Sequence, residues 1–230
     1  IRKDDPYAKY VHDKNIVVVE NDDYAFDDEK WMQTRTRCFD EPMNIYEIHL
    51  GAWKKKNNQW IKYEEIADDL VAYCKKMNYT HVEFMPLSEH PYDGSWGYQT
   101  TGYFSATSRY GSINGLKQLI NQLHNNGIGA IMDIVPVHFA KDKHGLGYFD
   151  GTPLYEYDRE VDANSEWGTS NFNLWREEVC SFLMSAANFW LDVYHFDGLR
   201  MDAIANGNKR LVNGSKKRSF FTTIEHIAEP

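Results

Sequence analysis

From residue 44 onward, short β-prone runs alternate with longer segments of helical period, and this alternation constrains the chain more than any other feature. Residues 44–49 (NIYEIH) read as a strand. Residues 63–77 read as a helix with Ile66, Leu70, Val71 and Cys74 on one face. The pattern then repeats. A strand is expected at 81–85 and a helix at 113–125, with Leu116, Leu119, Ile120 and Leu123 turned inward. Asn126-Gly127 ends that helix, because Asn and Gly readily take the left-handed conformation past a C-terminus. An Ile-rich strand at 129–135, a helix at 174–194 and a strand at 198–201 follow. Strand–helix alternation of this kind makes a parallel sheet covered by its own crossovers.

The loops decide which parallel sheet. Those after the second and third strands are far longer than the few residues usual in α/β units, and loops of that length are commonly functional. Successive βα units with long loops at the carboxyl ends of strands point to an α/β fold of the (β/α)8 TIM-barrel type, here the first half only. Residues 1–41 are charged and irregular, with one β-prone run at 16–19 and an acidic patch at Asp22, Asp23, Asp27, Asp28 and Glu29. They are expected to be a linker from a preceding domain, and 42–230 a partial catalytic barrel.

Composition narrows the function. With 42% hydrophobic residues in 230, the chain can bury a sizeable core, and a net charge of −9 disfavours a nucleic-acid partner. No run approaches a membrane span and no signal peptide opens the sequence, so no membrane partner is expected. Cys38, Cys74 and Cys180 are odd in number and lack metal-ligand spacing, which fits reduced thiols in the cytoplasm, with no metal and no cofactor. Seven Trp, 15 Tyr and 12 Phe, several beside Gly, Asp or His, suit a carbohydrate. Sugar rings stack on aromatic faces while their hydroxyls need carboxylates and amides.

Two strand ends carry ionisable residues. Arg200 and Asp202 stand two apart, so their side chains share one side, and a guanidinium beside a carboxylate keeps it ionised as a nucleophile requires. Asp133, at the end of the third strand, is expected to face the barrel interior, with His138 in the loop above it. Taken singly, each spacing also fits a structural ion pair or a turn.

These two segments, FDGLRMDA at 196–203 and DIVPVHF at 133–139, resemble conserved regions of the α-amylase superfamily, glycoside hydrolase family 13. Between and around them EIHLGAW (47–53), EFMPLSEHP (83–91), SWGYQ (95–99), GYFSATSRYG (102–111), FDGT (149–152), WGT (167–169) and Phe172-Asn173 resemble the branching enzymes within that superfamily, in order across about residues 42–205. The resemblance implies that Asp202 is the nucleophile that attacks the anomeric carbon of an α-1,4-glucan, the expected partner, and that Arg200 holds that carboxylate. It implies further that Tyr98 stacks under the glucose being cleaved, while Asp133 and His138 bind its hydroxyls. Glu229, in Ile227-Ala228-Glu229, matches the acid that protonates the leaving oxygen. The loop with Trp96, Tyr98 and Tyr103 is expected to line the glucan cleft beside Asp133, His138 and Asp202, because such loops converge on one face.

The expected reaction is transfer of a cleaved α-1,4 chain to a 6-hydroxyl. The alternatives are hydrolysis, as by an α-amylase or a maltooligosyl trehalose hydrolase, and glucan binding without turnover. Unpaired barrel edges are expected to favour self-association.

Overall fold

The computed structural model describes residues 2–12, 16–17, 22–35 and 41–204. Four strands, β1 (Ile45–Ile48), β2 (His81–Phe84), β3 (Gly129–Ile134) and β4 (Gly198–Met201), form one parallel sheet in the spatial order β4-β3-β2-β1. Each strand lies beside the one before it in sequence. That is the winding of a barrel, not of an open sheet whose order reverses at a switch point. The crossovers are α1 (Tyr63–Met77), α2 (Ile113–Asn125) and α3 (Glu177–Val193). The described chain is thus an α/β partial barrel, with β1 and β4 at the two ends of its sheet.

The pleat separates two faces. Val82 pairs with Ala130 and Phe84 with Met132, and all four are fully buried under helical side chains that include Leu70, Leu116, Ile120 and Leu123. The alternate residues Glu47, Glu83, Ile131, Asp133 and Arg200 occupy the other face, the barrel interior. One face therefore makes the core, and the other is charged.

Helix limits follow local chemistry. α1 carries Glu64 and Glu65 in its first turn and Lys75 and Lys76 in its last, matching the helix dipole, and stops at left-handed Asn78. The Ser112 hydroxyl caps α2 by accepting from the Gly115 amide. α3 starts at Glu177, later than the sequence predicts, because the approach is spent in a turn. There the Trp175 amide donates to the Asn173 side chain, and Arg176 donates to the Pro153 and Leu154 carbonyls.

The segment before the barrel is docked on it. Val11–His12 pairs with Ile16–Val17, and a short helix spans Glu29–Thr34. Asp28 is 2% exposed and lies 2.7 Å from His124 Nδ1 and 3.0 Å from His195 Nδ1. The other nitrogen of His124 is 3.0 Å from Asp197, which also accepts from Trp31 Nε1 and the Ala130 amide. Burial raises the Asp197 pKa, but His124 and the two N–H donors outweigh it, so its carboxyl sits below the usual range. Asp197 immediately precedes β4, so this cluster grips the barrel at the end away from Asp202. No helix among the described residues is long and apolar enough to cross a membrane.

Candidate active site

Asp133 and Arg200 are register partners on β3 and β4, so the fold places their side chains together on the interior face. Arg200 Nη1 donates to both oxygens of Asp133, at 3.1 and 2.9 Å, and to Asp202 Oδ1 at 2.8 Å. One guanidinium thus spans two carboxylates. The Asp202 amide donates to the Ile134 carbonyl at 2.9 Å, continuing the β3–β4 pairing one step beyond the strand and fixing where the carboxylate emerges.

The Tyr98 hydroxyl donates to Asp133 Oδ2 at 2.8 Å. Asp133 has no exposed surface, and burial pushes its carboxyl up to about 6 against the lowering pull of Tyr98 and Arg200. Burial together with the Asp133 carboxylate raises the Tyr98 hydroxyl, which therefore stays a donor. Partial burial works against the Arg200 charge, but Asp133 and Asp202 hold the guanidinium firmly protonated.

His138 is 3% exposed, its Nε2 4.0 Å from Asp202 Oδ2. Burial lowers its pKa more than Asp202 raises it, and its Nδ1 is buried without a hydrogen-bond partner. A neutral imidazole beside the carboxylate can donate to or accept from a hydroxyl.

The loop after β2 is built to deliver Tyr98. Gly97 adopts φ +94°, and a Cβ there would lie 2.3 Å from the Pro86 carbonyl oxygen, so only glycine lets the chain pass so close. Glu89 closes the base of this loop. Its carboxylate accepts from the amides of His90 and Ser108, the Thr107 and Ser108 hydroxyls and Arg109. The sequence reading passed over Glu89, although its place inside the Glu-His-Pro motif was visible.

The structure brings Tyr98, Asp133, His138, Arg200 and Asp202 into one group. Trp96 stands apart, 58% exposed with its ring 6.2 Å from that of His49. Tyr103 is buried behind that group instead of beside it. It is 5% exposed, packs edge-on against Phe172, and its hydroxyl donates to the Val135 and His138 carbonyls, supporting the site from behind. Glu229 lies outside the described residues.

Known proteins match this chain in sequence and in fold. The α-amylase catalytic-domain family matches residues 56–152. Over 213 residues, 90% of this chain, the sequence is 51% identical to the 1,4-alpha-glucan branching enzyme GlgB of Francisella tularensis. It is 52% identical over 212 residues to GlgB 2 of Clostridium perfringens. The chain spans about a third of the length of these relatives. Among solved structures, a putative alpha amylase from Salmonella typhimurium aligns with TM-score 0.70 at 23% identity, over 90% of this chain and 32% of its own. The alpha-amylase of Geobacillus thermoleovorans aligns at 0.65 and 17%, over 81% and 45%. The order of the strands and these likenesses show that the chain has the fold of part of an α-amylase barrel and is similar in sequence to the branching enzymes.

Proposed function

We propose that the protein carrying this chain is a 1,4-α-glucan branching enzyme with Asp202 as its nucleophile. The observation that supports this most is the Arg200 bridge, which aims the Asp202 carboxylate beside Asp133, Tyr98 and His138 at the end of β4. In the first step an Asp202 oxygen bonds to the anomeric carbon as its bond to the glycosidic oxygen breaks, and a carboxylic acid protonates the departing 4-oxygen. In the second, a glucan 6-hydroxyl attacks that carbon, returns its proton to the same acid, and releases Asp202. Two inversions retain the α configuration and create the branch. Retaining carboxyl pairs stand roughly 5–5.5 Å apart. By resemblance Glu229 is our candidate for the acid.

Each other residue has a part. Arg200 orients the Asp202 carboxylate, Asp133 and His138 accept from and donate to ring hydroxyls, and Tyr98 presents its ring to the sugar face. We read Trp96 as an outer glucan contact, residues 1–41 as the connector from a preceding domain, and 42–230 as part of the barrel. We read the setting as cytoplasmic; among the described residues Cys74 and Cys180 form no disulfide, and burial pushes the Cys74 thiol up to about 11. We also propose that the sheet ends at β1 and β4 pair with further strands or with another copy.

The test is amylose digestion by the full-length protein. Branching lowers iodine colour without releasing reducing ends, and hydrolysis releases them. Reducing ends rising in step with colour loss would replace transfer with hydrolysis, and an unchanged amylose would remove both.

A further inference from the structure

We infer that Trp167 is a glucan-stacking residue of the same site, set on the His138 side of the nucleophile. This rests on the α-glucan reading above and assigns a role to the Trp-Gly-Thr motif, which that reading leaves unused.

The Trp167 ring is 46% exposed and its centroid lies 5.0 Å from that of His138, whose Nε2 is 4.0 Å from the Asp202 carboxylate. A large apolar ring left half in water normally retreats into a core, and the chain here prevents that. Gly168 takes φ +76°, the Trp167 amide donates to the Ser165 hydroxyl, and the Thr169 amide donates to the same oxygen. Ser165 and Thr169 hydroxyls meet at 2.5 Å, and the Ser165 amide donates to the Thr169 carbonyl. The turn is therefore closed across its base, with Trp167 at its tip.

That base is joined to the site. Asn164 bridges to Ser170, and Ser170–Asn171 pairs with His138–Phe139, so the backbone that carries Trp167 is hydrogen-bonded to the backbone that carries His138. A half-exposed indole beside a buried imidazole and a carboxylate is a combination suited to a sugar, with an apolar face for the ring and polar groups for the hydroxyls. Trp167 and Tyr98 come from different loops, Tyr98 reaching Asp133 and Trp167 reaching His138, so each offers a ring at its own place in the site.

The experiment uses the full-length protein with the background substitution Asp202→Asn, so that maltoheptaose binding is read without turnover. Trp167→Ala is expected to weaken binding about tenfold and Trp167→Phe, which keeps a ring, only about threefold. Equal affinity in all three proteins, with unchanged melting temperatures, overturns the inference. So does a loss in Trp167→Ala that Trp167→Phe does not partly recover, since that marks support of His138 and not stacking. Absence of maltoheptaose binding by the Asp202→Asn parent overturns the α-glucan reading itself, and the inference with it. Normal binding by the parent with no Trp167 effect removes the inference alone.

Discussion

Replacing Asp133 by Asn should make the protein more stable at neutral pH and less active. In the unfolded chain this carboxyl titrates near 3.9, and in the fold burial holds it at about 6. The native state thus binds more protons between those values, so stability falls as pH rises from about 4 to about 6 and is flat above. Two pK units correspond to about 3 kcal/mol, of which about 2 kcal/mol falls between pH 4.5 and 7.5. Asn keeps the shape and can still accept from Arg200 or Tyr98, but it has nothing to titrate. Relative to wild type, Asp133→Asn should therefore gain about 2 kcal/mol over that interval, or roughly 4–8 °C in melting temperature for a domain of this size. The assay is thermal unfolding of both proteins at pH 4.5, 6 and 7.5. Parallel melting temperatures at all three would refute the argument, because they would mean that Tyr98 and Arg200 fully offset the burial of the charge.

Asp202→Asn should lower turnover on amylose by on the order of 10³ or more with the melting temperature little changed, and retention of a tenth of the wild-type rate would remove Asp202 as nucleophile. Gly97→Ala forces a Cβ against the Pro86 carbonyl at a positive φ, so it should cost about 2 kcal/mol or more and weaken maltoheptaose binding through Tyr98; unaltered binding and melting would contradict the role given to that glycine. His124→Ala leaves Asp28 and Asp197 facing each other across a gap, and a loss of about 3 kcal/mol with new proteolytic cuts near residues 22–35 is expected, whereas an unchanged digest would show that the segment docks without it. Residues 1–230 alone should show no turnover, and a monodisperse monomer of that length that branches amylose would refute this.

The barrel strands and their helices were readable because their signals are local. α1, α2 and β4 occupy the residues the periodicity assigns, and β3 ends one residue early, at Ile134. What escaped depends on partners distant in sequence. The hairpins Ser88–Glu89 with Gly102–Ala106 and His138–Phe139 with Ser170–Asn171 contain two-residue strands, too short for any period to register. Asp28 read as one member of an acidic connector, yet it is buried because His124 and His195, far along the chain, converge on it. Tyr103 shared a loop with Tyr98 and was expected to line the cleft with it, but residues 99–102 between them leave the two hydroxyls aimed at different targets. Among the site residues, Asp133 and Arg200 could be placed by strand pairing. Trp167 could not, because its position depends on a turn that only the Ser165–Thr169 contacts define.

The strand order also bears on how the chain is made. β1 pairs with β2 between Ile45 and His81, β2 with β3 between His81 and Gly129, and β3 with β4 between Ile131 and Gly198. Within the described sheet β2, β3 and β4 each find their neighbour already synthesised, so these strands can be added in the direction in which a ribosome releases them. The loops to be closed lengthen along the way, and near-doubling from first to last adds only about 0.6 kcal/mol of closure entropy. Asp133 and Asp202 are joined at the last of these closures, so the nascent chain acquires its pair of carboxylates only after the sheet that orients them has formed.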